Sequence, residues 1–194
     1  YGEAQNIPTM ENDHFPVQTS LYGASKLACE GLIEAYSEAF EFNTFIFRFV
    51  SMLGPRYSHG HVFDFYKQLI KDPNKLYILG NGQQKKSYLH IDDCLNAIFL
   101  AIQNSNSRIN IYNLGVNHYC SVNDSVSWIC EYLNLNPVLT YSGETRGWIG
   151  DNPFIFLDTT KINNIGWSPK TTIKDSIIST LKYLIDNKWL LNRE

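Results

Sequence analysis

The sequence predicts an α/β fold with a parallel sheet, and three observations carry that prediction. A long amphipathic stretch, Thr19 to Phe40, leads into a short aromatic and β-branched run, Asn43 to Val50. Helix followed by apolar strand is the cadence of a parallel α/β sheet. Further short apolar runs then alternate with helical patterns to the end of the chain. The size fits, since 194 residues suffice for one domain with a core, or for part of a larger one.

Taken in order, residues Tyr1 to Gln18 are polar, proline-bearing and aperiodic, and read as a loop. In the organising helix Leu21, Ala24, Leu27, Ala28, Leu32, Ala35, Tyr36, Ala39 and Phe40 recur at helical spacing, with Thr19 or Ser20 as N-cap. The strand that follows ends in the turn Gly54-Pro55. Val62 to Lys71 is a helix stopped by Asp72-Pro73. Leu76 to Leu79 is a strand, Gly80-Asn81-Gly82 a tight turn, and Ser87 to Ile91 a short strand. Asp92 or Asp93 caps a helix through Ile102, whose inner face is Leu95, Ile98, Phe99 and Ile102. Ile109 to Leu114 is a strand closed by Gly115, and Ser121 or Asn123 begins a helix through Leu133. Val138 to Tyr141 and Phe154 to Leu157 read as strands. Asp158 to Asn164 is a short helix ended by Gly166, and Thr171 to Asp186 is a last amphipathic helix.

Composition removes several function classes. A net charge of −3 gives no basic footprint, so no nucleic-acid partner is expected. No apolar run approaches the length of a membrane span. Cys29, Cys94, Cys120 and Cys130 have neither close pairing nor metal-type spacing, so we expect reduced thiols and a cytoplasmic setting. The chain opens on Tyr1 rather than Met, with no strand before it, which leads us to expect a fragment.

The chemistry starts at Tyr22-Gly23-Ala24-Ser25-Lys26. Tyr22 and Lys26 are four apart and share a helix face. A phenol titrates near pH 10 in water, too high for a base at neutral pH, and a neighbouring ammonium favours the phenolate. Such a tyrosine removes a proton from a substrate hydroxyl. With 12 tyrosines in the chain, the spacing alone is a weak signal, and an exposed tyrosine on a helix flank is the plainer reading. Asp92-Asp93 reads as a cap rather than a catalytic pair. His59-Gly60-His61 lacks a third ligand nearby, so no metal is expected. Gly80-Asn81-Gly82 lacks the third glycine of a phosphate cradle, and no Gly-x-Gly-x-x-Gly occurs in the chain. Arg146, in a glycine-rich loop, and Lys86 are cations suited to phosphate, though each taken alone reads as a solvated charge.

The order of these pieces is more telling than any one of them. Tyr1-Gly2-Glu3 is followed by Tyr22-Gly23-Ala24-Ser25-Lys26-Leu27 with Glu30, then Arg48 with Gly54-Pro55-Arg56. Gly80-Asn81-Gly82-Gln83 and Tyr88-Leu89-His90-Ile91-Asp92-Asp93 come next, then Asn113-Leu114-Gly115 and Ser121-Val122-Asn123. Arg146 with Gly150-Asp151 and Gly166-Trp167-Ser168-Pro169 complete the set. In this the sequence resembles, from end to end, the extended short-chain dehydrogenase/reductase family. The similarity is to its NAD-dependent nucleotide-sugar epimerase/dehydratase branch, with the UDP-glucose 4-epimerase type as the nearest pattern.

The resemblance implies the C-terminal portion of such a protein. Residues 1–60 would be the tail of the NAD-binding Rossmann domain, and 61–194 mostly a small α/β substrate domain, with roughly 90–115 returning to the Rossmann sheet. It implies Tyr22 as catalytic base and Lys26 as the group that holds the nicotinamide ribose and lowers the tyrosine's pKa, with the Val50 backbone at the nicotinamide end of NAD. It implies Lys86 and Arg146 on the diphosphate and Asp151 on the nucleotide ribose of the sugar-nucleotide substrate. Val62 and Tyr77 would line that substrate, through backbone more than side chain. Its further implications are C4 epimerisation through a 4-keto sugar in the complete protein, and a homodimer formed through the Tyr22 helix. The missing N-terminal half would hold the glycine fingerprint, so the isolated chain is expected to be inactive. The same family also carries 4,6-dehydratases and decarboxylases, and a non-catalytic binding remnant is the reading from another class. The chain departs from the family at Ser51, where Asn is usual, and at Lys86, where Arg is usual.

Overall fold

The computed structural model describes residues 1–15, 18, 20–144 and 154–192. Helix α1, Leu21–Phe40, starts where the Ser20 hydroxyl accepts the Gly23 N–H and stops where Glu41 turns left-handed. Thr19, the other cap expected from sequence, lies outside the described residues. The apolar run after it forms strands β1, Thr44–Phe49, and β2, Ser51–Leu53. Then come α2, His61–Lys71, and the strands β3, Lys75–Ile78, β4, Lys85–Lys86, and β5, Tyr88–His90. Helix α3, Ile91–Asn104, precedes strands β6, Ile109–Leu114, and β7, Cys120–Ser121. The remainder is α4, Val122–Leu133, β8, Val138–Tyr141, α5, Thr160–Asn164, α6, Ile173–Asp186, and a 3₁₀ turn, Lys188–Asn192.

Among the described residues three strand pairs are parallel, as the helix–strand cadence predicts. β1 runs beside β6 from Thr44↔Ile109 to Phe49↔Leu114. β2 pairs with β5 and β3 with β8. The fourth pair, β4 with β7, is antiparallel and two residues long. Phe154 to Leu157, expected as a strand, makes only an isolated bridge, Leu157 to Thr9.

The core sits in the later part of the chain. Leu53, Leu76, Ile78, Leu89, Ile129, Ile162, Ile177, Leu181 and Leu184 are all fully buried. Helix α6 is its spine: Ile173, Ile177, Leu181 and Leu184 repeat at the spacing of one helix face. On that face Thr180 spends its hydroxyl twice, donating to Ser176 O and accepting the Gly54 N–H at 2.8 Å. That bond ties the turn after β2 to the core.

Two sequence expectations need correction. Helix α3 is capped by His90, whose ring Nδ1 accepts the Asp92 N–H at 3.2 Å, and not by Asp92 or Asp93. Its buried residues are Asp93, Cys94, Ala97 and Ala101, whereas Leu95, Phe99 and Ile102 face outward. Asp93 turns in because its carboxylate accepts the N–H groups of Lys170 and Thr171 and its carbonyl accepts Trp167 Nε1–H. The helix is therefore rotated by polar anchors, away from the face its apolar residues mark.

Candidate active site

Tyr22 stands in the first turn of α1 and is 72% exposed. Lys26 follows one turn later, its ammonium 5.5 Å from the centre of the Tyr22 ring. The i, i+4 spacing is thus realised as a cation against a phenol face. The Ser25 hydroxyl is turned away, donating to Tyr22 O at 2.8 Å.

The face of α1 that adjoins this pair is unusual. Its inner stripe is Gly23, Leu27, Glu30, Glu34 and Ser37, and only Ser37 is fully buried. The apolar residues Leu21, Leu32, Tyr36 and Phe40, expected on a packed face, point outward. Two polar anchors explain the rotation. Ser37 Oγ donates to Phe42 O at 2.7 Å. Glu30 receives the guanidinium of Arg48 from β1, Nε at 3.1 Å to each oxygen and Nη2 at 2.7 Å.

Arg48 also fixes the first segment of the chain. Its Nη1 donates to the Tyr1 hydroxyl at 2.7 Å and to Glu11 O at 2.8 Å, and it lies against the rings of Tyr1 and Phe15. Burial pushes the Tyr1 phenol up, so it stays protonated and donates to Asn113 Oδ1 at 2.8 Å. A cavity of about 560 Å³ opens between this network and α1. Tyr22, Lys26, Phe47, Arg48, Phe154 and Ile155 are among its walls.

The other residues expected at the site divide into two groups. Val50 is buried at the end of β1, its N–H donating to Leu114 O at 3.2 Å. Val62, fully buried, lies in the first turn of α2, a helix start that no side chain caps. Lys86 lies on β4, close enough for its charge to act on His61. Tyr77 is on β3, where Gln68 takes both its backbone groups: Oε1 accepts the N–H and Nε2 donates to the carbonyl. What Tyr77 presents is its half-exposed ring. Arg146 and Asp151 lie outside the described residues. The structure therefore brings Tyr22 to Lys26, and Lys86 to the start of α2.

His61, one residue before the predicted start of the helix at Val62, begins α2 and is bonded through both ring nitrogens. Nε2 meets Ser125 Oγ at 2.7 Å, Nδ1 meets the Tyr88 hydroxyl at 3.1 Å, and the ring stacks on Tyr88. Burial, and secondarily the charge of Lys86, pushes it down to about 3, so the ring is neutral. Among the described residues no group of three His, Cys, Asp or Glu is placed to hold a metal. The four cysteines are free thiols, and burial pushes Cys94 up to about 11 and Cys120 to about 12, out of nucleophilic range. A second depression of about 350 Å³, beside α3 and Trp167, contains Asp93, whose Oδ2 already accepts the backbone N–H groups of Lys170 and Thr171.

Comparison with known proteins bears on this arrangement. Residues 1–115 match the sequence profile described as Epimerase, the NAD dependent epimerase/dehydratase family. A dTDP-D-glucose 4,6-dehydratase of Mus musculus is 28% identical over 176 residues, covering 87% of this chain and 48% of the mouse protein. A putative UDP-glucose 4-epimerase of Methanocaldococcus jannaschii is 26% identical over 191 residues, covering 96% of this chain and 60% of that protein. Among solved structures, a UDP-galactose 4-epimerase superposes with a TM-score of 0.85 at 29% identity, over 97% of this chain and 61% of that one. The chain thus spans about half to three-fifths of the length of each of these three relatives. The matched profile runs from Tyr1 through the Tyr22–Lys26 helix and the paired strands β1 and β6 to Gly115, and the chain is a member of the NAD-dependent epimerase/dehydratase family.

Proposed function

We propose that this chain supplies the acid–base helix and the substrate half of an NAD-dependent nucleotide-sugar 4-epimerase, acting on UDP-glucose or UDP-galactose. The observation that carries the reading is the ammonium of Lys26 held against the ring of Tyr22 at the mouth of a cavity. In this reading Tyr22 takes the proton from the C4 hydroxyl and returns it after the sugar has turned over as the 4-keto form. Lys26 favours the phenolate and donates to the nicotinamide ribose hydroxyls. Its position fits that role, because the ammonium has no carboxylate partner among the described residues. Bound NAD would supply the hydride chemistry at C4. Val50 stands at the nicotinamide end. Lys86 and Arg146 hold the diphosphate, Asp151 the nucleotide ribose, and Val62 and Tyr77 line the sugar nucleotide, Tyr77 through its ring.

We assign 1–60 to the tail of the Rossmann domain and 61–194 mainly to substrate binding, with 90–115 returning to the sheet. The register of β1 with β6 supports that return. An N-terminal half carrying the fingerprint, a homodimer through α1 and a cytoplasmic setting belong to the same reading. Free thiols support the last of these, and no helix of the described residues is long and apolar enough to cross a membrane.

Tyr22→Phe in the complete enzyme should abolish turnover while the fold survives; a variant that still epimerises sinks the assignment. The mouse relative gives a specific second reading, 4,6-dehydration with the same pair. Incubating complete enzyme with UDP- and dTDP-sugars separates the two, since C4 epimers alone exclude dehydration. The 194-residue chain by itself, supplied with NAD, should show no turnover.

A further inference from the structure

Glu30 poses a problem for the proposed pair. It lies one helical turn beyond Lys26, as Lys26 lies one turn beyond Tyr22, so the three share a face. Lysine and glutamate at i, i+4 form an ion pair on exposed helices, and partial shielding from water strengthens it. The Glu30 side chain is only 19% exposed and that of Arg48 10%. Left alone, the Glu30 carboxylate is the natural partner of the Lys26 ammonium and would draw it away from Tyr22. It is not left alone. Arg48 covers both its oxygens with three N–H contacts of 3.1, 3.1 and 2.7 Å. The guanidinium cannot easily leave, because Nη1 is bound to Tyr1 and Glu11 and its plane rests against Tyr1 and Phe15.

We propose that Arg48 is a positioning residue for the Tyr22–Lys26 pair: by occupying Glu30 it keeps Lys26 from closing onto that carboxylate and leaves the ammonium against Tyr22. This rests on the reading of Tyr22 and Lys26 as the acid–base pair. It adds a reason for three residues that touch no reacting atom. Tyr1 and Phe15 hold the guanidinium in place, and Glu30 is the charge that must be kept occupied.

The test uses the 194-residue chain with labelled lysine and tyrosine and needs no turnover. The readout is the nuclear Overhauser contact between the Lys26 ε-methylene and the Tyr22 ring protons. It should be present in the parent chain and fall at least twofold in Arg48→Gln. It should return in the double variant Arg48→Gln with Glu30→Gln. The single variant Glu30→Gln, which breaks the bridge but removes the competitor, should keep the contact. A bridge that merely braces the helix predicts the opposite for both Glu30 variants. Loss of the contact in Glu30→Gln overturns the proposal, and so does its survival in Arg48→Gln. If Arg48→Gln does not fold, Glu30→Gln decides alone. Turnover by Tyr22→Phe enzyme would remove the acid–base reading and leave this pattern of contacts standing, so the two failures are distinguishable.

Discussion

His61 shows at the scale of one residue how placement overrides composition. A free imidazole titrates near 6.5, whereas this ring is held down to about 3. Below pH 6.5 the unfolded chain therefore binds a proton that the folded chain refuses until about pH 3. The sign is a loss of stability as pH falls through that window, at up to about 1.4 kcal/mol per pH unit. Urea unfolding at pH 7 and pH 5 should show His61→Gln losing about 2 kcal/mol less than the parent chain; equal losses would mean that the ring protonates in place. Gly82 makes a second case. Its φ is +78°, and a Cβ there would sit 2.1 Å from Asn123 Oδ1, which already accepts the Tyr141 hydroxyl. Gly82→Ala should cost about 1–3 kcal/mol, read as a lower midpoint in the same unfolding experiment. No change would mean that Asn123 moves aside freely. Tyr22 and Lys26 were legible because a contact between residues four apart is written in their spacing. Arg48 was visible as a residue but not as a device, since its partners come from Tyr1, Glu11, Phe15 and Glu30 and meet only in the fold.

At the scale of elements, local signals did well and long-range ones poorly. Helix α4 starts where Ser121 predicts. Ser121 Oγ accepts the Asp124 N–H at 3.0 Å, and Asp124 Oδ2 accepts the Ser121 N–H at 2.8 Å, a complete capping box. Ser121→Ala should therefore cost about 1 kcal/mol, and for a chain of this size melt about 2–4 °C earlier. An unchanged melt would show that packing against α6, rather than the cap, fixes this end of the helix. Strand β8 coincides with the apolar run that announces it. Helix α3 does not show its cap in the sequence, because a histidine ring serves only once β5 delivers it there. Phe154 to Leu157 has strand composition, but its one ladder contact is with Thr9, and nothing local encodes a partner so remote. Periodicity found α1 and α3, but it grouped Leu27 and Ile98, which turn inward, with residues that face out. It could not say which face meets the chain, because Arg48, Lys170 and Thr171 set the rotation from elsewhere.

The whole molecule carries the consequence of those rotations. α1 turns Leu21, Leu32, Tyr36 and Phe40 outward, with Tyr36 and Phe40 stacked at 5.6 Å between ring centres. Phe42 and Phe49 are exposed nearby in sequence, and among the described residues β1 pairs with β6 alone, so its other edge is unpartnered. Apolar surface on this scale does not stay in water when a partner is at hand. The 194-residue chain should therefore self-associate, with a sedimentation coefficient that rises with concentration. Leu32→Lys together with Phe40→Lys tests where. Leu32 is 60% and Phe40 67% exposed, so the pair should leave folding stability within about 0.5 kcal/mol of the parent. The same pair should return the chain to a monomer, because two like charges would then face the partner's apolar surface. A parent chain that sediments as a monomer throughout would remove the association. A double variant that unfolds would instead place those side chains in the chain's own core, and the outward rotation of α1, with the anchoring role of Glu30 and Ser37, would have to be given up.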